Sequence, residues 1–156
     1  MESKDYKDLT DLEILQLAVW REAQNQPRDG MRGVAHVIRN RVYGKTKWWG
    51  AGDWHNVILK PYQFSSFNPN DPNSAKWPED YDISWNECRD VCVPIYNADD
   101  EDITLGATYY HDTSIGWPHS WGNPADYEQT LAVGDLLFFK PRPAQTVMGA
   151  DESTQV

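Results

Sequence analysis

Glu22 is the acidic residue whose setting most suggests chemistry. In LEILQLAVWREA the apolar residues Leu12, Leu15, Val19 and Ala23 recur at helical spacing, with Ala18 at the edge of their face, and Glu22 projects between Leu15 and Ala18. A carboxylate beside a buried face is either a cleft residue, where partial burial favours the protonated acid, or the partner of a buried cation, here Arg41 or Arg21. The other reactive side chains form no recognisable constellation. His36, His55, His111 and His119 are scattered without zinc-ligand spacing, so each reads as structural or surface, and no metal or cofactor is expected. Cys88 and Cys92, four residues apart, point the same way on a helix, a poor geometry for a mutual disulfide. They read as buried, reduced core thiols. Gly-rich phosphate loops, G-x-S-x-G and H-E-x-x-H are all missing from the sequence.

The elements around Glu22 are legible in part. Thr10 and Glu13 form a capping box that starts the first helix, and Asn25, Gln26 and Pro27 end it. A second helix is predicted from near Asp29 and Gly30 through MRGVAHVIRNRVYG. Met31, Val34, Ile38 and Val42 form its apolar face, Arg41 sits beside Val34, and Gly44 caps it. The short link predicts an antiparallel pair that brings Glu22 near the early turns of the second helix. Residues 44–83 hold Trp48, Trp49, Trp54 and Trp77 with many turn formers and no sustained periodicity, the character of a cleft wall.

Ser84 and Glu87 predict a second capping box, opening a third helix that buries Trp85, Cys88, Cys92 and Ile95. The run Asp99, Asp100, Glu101, Asp102 reads as a solvated turn. ATYYHD and DLLFFK read as strands, and the stretch between them as loop with at most one short strand. The expected fold is a helix-dominated α+β single domain over residues 1–140. A small antiparallel sheet includes residues near 107–111 and 136–139, and a flexible tail follows from Pro141 to Val156.

The 156 residues, 40% hydrophobic, suffice for one core. The formal charge is -10, with +2 on residues 1–60 and -12 on the remainder. That balance excludes a nucleic-acid backbone as partner, which needs a basic surface. With no apolar run of 18 residues and a charged start, MESKDYKDLTD, the chain is expected to be made soluble in the cytoplasm, without inserting into a membrane. The oligomeric state is left open.

The stretch AVWREAQNQPRDGMRGVAHVIRNRV resembles the opening of the spore-cortex-lytic and cell-wall-hydrolase family. The resemblance is carried by Glu22 and Ala23, by Gly33, Val34 and Ala35, and by Val37, Ile38, Asn40, Arg41 and Val42. The family's later segments are matched by Val57, Ile58, Gln63, Phe64 and Ser65, then by Gly106, Ala107, Tyr109 and Tyr110 with Trp117 or Trp121. The resemblance covers roughly residues 10–140. One position departs: Leu136 stands where the family carries a histidine in its last strand.

The resemblance implies a lysozyme-like transglycosylase fold and cleavage of the β-1,4 bond between N-acetylmuramic acid and N-acetylglucosamine in peptidoglycan, often as a lytic transglycosylase. It assigns the general acid to Glu22. Asn40 and Arg41 are then expected to organise the site, Asn40 by tying its helix to the Gln63–Ser65 segment, while Gln63, Ser65, Tyr109, Tyr110 and His111 contact sugar. A hydrolase working with two carboxylates would draw its second from Asp112 or Asp126. The rival reading is a non-catalytic glycan-binding or virion structural module of the same fold. An amidase or endopeptidase fits poorly, since both thiols read as buried. A phage-type lysis enzyme released through a separately formed membrane hole is one setting, and a bacterial enzyme exported by another route is the other.

Overall fold

Two reciprocal hydrogen bonds begin the first helix. The Thr10 hydroxyl accepts from the Glu13 backbone N–H at 3.1 Å, and the Glu13 carboxylate accepts from that of Thr10 at 2.8 Å. The structure, a computed structural model, describes residues 4–143, so most of the expected tail, residues 144–156, lies outside the described residues. Helix α1 (Asp11–Ala23) buries Leu15, Val19 and Ala23, as their spacing predicts. It also buries Ile14, Gln16, Leu17, Trp20 and Arg21, because α2 (Arg28–Tyr43), α3 (Trp54–Leu59) and α4 (Ile83–Tyr96) all pack against it. A helix enclosed on every side needs partners for its polar groups. Gln16 accordingly donates to the Trp85 carbonyl at 3.0 Å.

Helix α3 was not apparent in the sequence. Asp53 caps it by accepting from Asn56 N–H, and Trp54, Val57 and Ile58 are buried at helical spacing, but six residues are too few for periodicity to register. The second capping box does not form. Helix α4 starts one residue before Ser84, after Asp82, and neither residue caps it with a side chain. The Ser84 hydroxyl instead accepts from Trp20 Nε1 at 3.0 Å and donates to Gln24 Oε1 at 3.4 Å, so a tertiary partner takes the atom a local cap would have used. Cys88 and Cys92 are buried, free thiols on this helix, and burial pushes the Cys88 thiol up to about 12.

Strands β1 (Tyr109–Asp112), β2 (Tyr127–Val133) and β3 (Leu136–Pro141) form an antiparallel sheet in the order β1-β3-β2. β2 is longer than the expected loop allowed. It is an edge strand buried nowhere along its length, so it lacks the apolar alternation that marks a strand in sequence. On the central strand, Phe138 packs against α2 at Gly33, where an added Cβ would lie 2.8 Å from ring atom Cε2 and overlap Cζ. The β2–β3 turn is clamped by the buried Gln26, whose Oε1 accepts from Asp135 N–H at 2.9 Å while its Nε2 donates to the Asp135 carboxylate at 3.3 Å.

The acidic run is more than a solvated turn. Asp99 and Glu101 are exposed, but Asp100 accepts from Arg32 and meets His36 Nε2 at 2.8 Å, while Asp102 accepts from Asn40 Nδ2 at 2.9 Å and from Thr104 and Gly106. Arg32, His36 and Asn40 are spaced by four and form one polar stripe along α2. This stripe fixes the chain leading into β1, because Asn40 Nδ2 also donates to the Ala107 carbonyl. Burial alone would raise the Asp102 carboxyl, but hydrogen bonds from Thr104 and Asn40 outweigh it and hold it below its ordinary value of 3.8.

Two outcomes are expected. Gly33→Ala should lower unfolding free energy by about 1–2 kcal/mol in urea titration, because overpacking against Phe138 exceeds the helix-propensity gain of about 1 kcal/mol. For Asp102, whose folded value is depressed, the stabilisation is complete above about pH 3.8 and is lost as pH falls through the lower folded value. Asp102→Asn should therefore cost about 1–3 kcal/mol at pH 7 and flatten the decline in melting temperature below pH 4.

Candidate active site

Glu22 lies in the last turn of α1, half-buried, and its carboxylate is held from two directions. Oε1 accepts from the Tyr110 hydroxyl at 2.5 Å and Oε2 from the Ser66 backbone N–H at 3.2 Å. Neither Arg21 nor Arg41 forms an ion pair with it among the described residues, although both are buried and close in sequence or fold. Each is occupied elsewhere. Arg21 donates to Tyr6 Oη and to the carbonyls of Lys76, Ser74 and Ser66, and its guanidinium lies over the rings of Tyr6, Phe67 and Trp77. Arg41 donates to the Thr108 carbonyl at 2.8 Å and to Gln63 Oε1 at 3.0 Å, and lies over Trp49, Phe64 and Tyr109. Burial pulls the Arg41 guanidinium down to about 10, which leaves it charged at neutral pH. The reading of Glu22 as a buried cation's partner is therefore not what the geometry supports.

Tyr110 is the donor in its pair with Glu22. Burial, and then the adjacent carboxylate, push its phenol well above the ordinary value, so it keeps its proton. Strand alternation aims its ring at Phe64 and Phe138 on the helix side of the sheet, while Tyr109 and His111 meet the aromatic cluster on the other side. β1 is an edge strand, so residues of both faces reach the same opening.

That opening is a cleft of about 470 Å³. Glu22, Arg41, Gln63, Ser65, Tyr109, Tyr110 and His111, all named from the sequence, line it together. Asn40 does not line it. It reaches Asp102 and Ala107 rather than the Gln63–Ser65 segment, and Arg41 makes the link to Gln63 instead. Several lining residues were not named as sugar contacts: Trp48, Tyr62, Trp121 and Tyr127. Their signal was only the density of aromatics in loops, which does not say which rings face the opening.

Asp112 is the second carboxylate lining the cleft, and hydrogen bonds from Ser114, first its backbone N–H, hold it below the ordinary value. Asp126 is exposed and does not line it. Leu136 lines the cleft, 3% exposed, and so supplies apolar wall where the family pattern has an imidazole. His111 is the imidazole of this cleft. Its Nδ1 lies 2.9 Å from the Asp112 carbonyl, which can only accept, so Nδ1 is the donor in that contact.

The arrangement is a half-buried carboxyl group in a polar and aromatic cleft, able to give and retake a proton. Residues 25–139, which include every lining residue except Glu22, match the family described as Cell Wall Hydrolase. No curated protein matches the chain. Two solved structures share the fold. The catalytic domain of the Bacillus cereus SleB protein is 23% identical, with a TM-score of 0.63 over 83% of this chain and 89% of that one. The catalytic domain of the germination-specific lytic transglycosylase SleB from Bacillus anthracis is 24% identical, with a TM-score of 0.61 over 83% of this chain and 93% of that one. Since the matched span takes in both walls of the cleft and the whole sheet up to Phe139, the chain belongs to the cell wall hydrolase family.

Proposed function

We propose that the chain cleaves the peptidoglycan glycan strand at the β-1,4 bond between N-acetylmuramic acid and N-acetylglucosamine, as a lytic transglycosylase with Glu22 as general acid and then base. The observation that carries this reading is a cleft carboxyl held by two hydrogen-bond donors and, among the described residues, in no ion pair. The Tyr110 and Ser66 donors orient the group and stabilise the carboxylate left once the proton departs. The Bacillus anthracis relative, described as a germination-specific lytic transglycosylase, agrees with this class of reaction.

In this scheme Glu22 gives its proton to the glycosidic oxygen as the bond to muramyl C1 breaks, and the N-acetylglucosamine end leaves with a free hydroxyl. The muramyl C6 oxygen then bonds to C1, and its proton returns to Glu22. No water is consumed and the product carries a 1,6-anhydro ring. Gln63, Ser65, Tyr109 and His111 supply polar and ring contacts to sugar, and Arg41 holds the two walls at their spacing. The position of Asp112 in the same cleft favours one second reading, hydrolysis with Asp112 as the partner carboxylate. Among the described residues no helix is long and apolar enough to cross a membrane, and the proposed route to the wall is phage-type release or a separate export path.

Glu22→Gln keeps the side chain's size and removes the transferable proton. It should lower the rate of muropeptide release from purified peptidoglycan by about 10²–10⁴-fold, with the urea midpoint little changed. Near-normal cleavage by this variant would remove Glu22 from the chemistry, and binding without any product from the wild type would favour the non-catalytic module. Mass spectrometry should find 1,6-anhydromuramyl ends, and Asp112→Asn should keep most of the activity. Reducing ends only, together with an inactive Asp112→Asn, would replace transglycosylation by hydrolysis.

A further inference from the structure

Tyr62 lines the cleft from a backbone position that its residue type disfavours. Residues Lys60–Gln63 form a β-turn closed by Gln63 N–H donating to the Lys60 carbonyl at 3.1 Å, with Pro61 second and Tyr62 third. Pro is at home in the second place, whereas a third residue with positive φ is ordinarily Gly or Asn. Tyr62 stands there with φ +66°. A side chain in the left-handed region is strained, and the strain persists only where the surroundings hold it. Here the Asn68 side chain does so, its Oδ1 accepting from Tyr62 N–H at 3.1 Å.

The turn presents the ring outward. Tyr62 is 82% exposed and makes no ring contact among the described residues. The other cleft tyrosines are interlocked: Tyr109 meets Trp49, Trp121 and Tyr127 edge-on, and Tyr127 also meets Trp117. Their faces are committed to protein, while that of Tyr62 is available to a ligand. The residue after it, Gln63, is bound to Arg41, so the ring is displayed one residue from a fixed point of the cleft. A large exposed apolar ring kept in an unfavourable conformation at a cleft mouth gives the folded protein nothing in packing.

We propose that Tyr62 is a glycan-stacking residue, whose ring covers the apolar C–H face of a pyranose unit and holds the strand in register with Glu22. The proposal rests on the reading that a glycan strand lies in this cleft. The ring's contribution is to binding, so it is separable from the proton transfer at Glu22.

The test uses the whole chain carrying Glu22→Gln, co-sedimented with purified peptidoglycan sacculi, alone and combined with Tyr62→Gly or Tyr62→Phe. Tyr62→Gly should raise the half-saturating sacculus concentration roughly tenfold, the scale of losing one useful interface ring. It should leave the thermal midpoint unchanged or higher, because glycine accepts the turn without strain. Tyr62→Phe should bind like its parent, since stacking needs the ring and not the hydroxyl. Binding by Tyr62→Gly within about twofold of its parent, equal weakness of Tyr62→Phe and Tyr62→Gly, or a lower midpoint for Tyr62→Gly would each overturn the proposal. Tyr62-dependent binding by a wild-type chain that releases no product would overturn cleavage and keep the stacking role, whereas no binding by any form would overturn both.

Discussion

A buried guanidinium must find acceptors, and Arg41 finds them on opposite walls of the cleft. One donor holds the Thr108 carbonyl at the entry to β1 and another holds Gln63 in the irregular segment after α3. Its carbon chain is fixed in α2, so these hydrogen bonds tie helix, strand and loop at a set spacing. Without them, a charged group 5% exposed would be left unsatisfied, a penalty comparable to a large share of a small domain's stability. Arg21 does the same from α1, fastening residues 66–76 by three carbonyls. The segment between α3 and α4 holds only short 3-10 turns of its own, and the two buried cations fasten it to the helices.

This division of labour leaves Glu22 without an ion pair among the described residues. It is adjacent to Arg21 in sequence, and Arg41 lines the same cleft, yet both cations are occupied by backbone and amide acceptors. Ser66 is held through both of its backbone groups, its carbonyl accepting from Arg21 and its N–H donating to Glu22.

Much of the helical framework was legible in the sequence because it follows from local rules. The Thr10–Glu13 box and the apolar spacing of α1 and α2 need only neighbouring residues to be recognised, and both helices lie close to where those signals put them. The strands at Tyr109–Asp112 and Leu136–Pro141 were legible as aromatic runs between turn formers. β2 was not, since an exposed edge strand carries no burial pattern. Ser84 and Glu87 had the right types and spacing for a cap, but Trp20, 64 residues away in sequence, claimed the hydroxyl. Likewise the acidic run read as solvent-facing until α2 presented Arg32, His36 and Asn40 on one stripe.

By itself the sequence determined which side chains were available for chemistry: one well-placed glutamate, a Tyr-Tyr pair, a glutamine and a buried arginine, with Leu136 off the family's pattern. It determined α1, α2 and the body of α4 too, because turn-to-turn contacts are written in residues three and four apart, whereas the six residues of α3 were too few to register. Only the tertiary structure decided which donors face Glu22, that Asn40 serves the β1 approach and not the cleft, and which of many aromatic residues line the opening. Those outcomes depend on contacts between segments tens of residues apart, where a donor takes whichever acceptor the packed fold leaves within about 3 Å, and no local spacing encodes that choice.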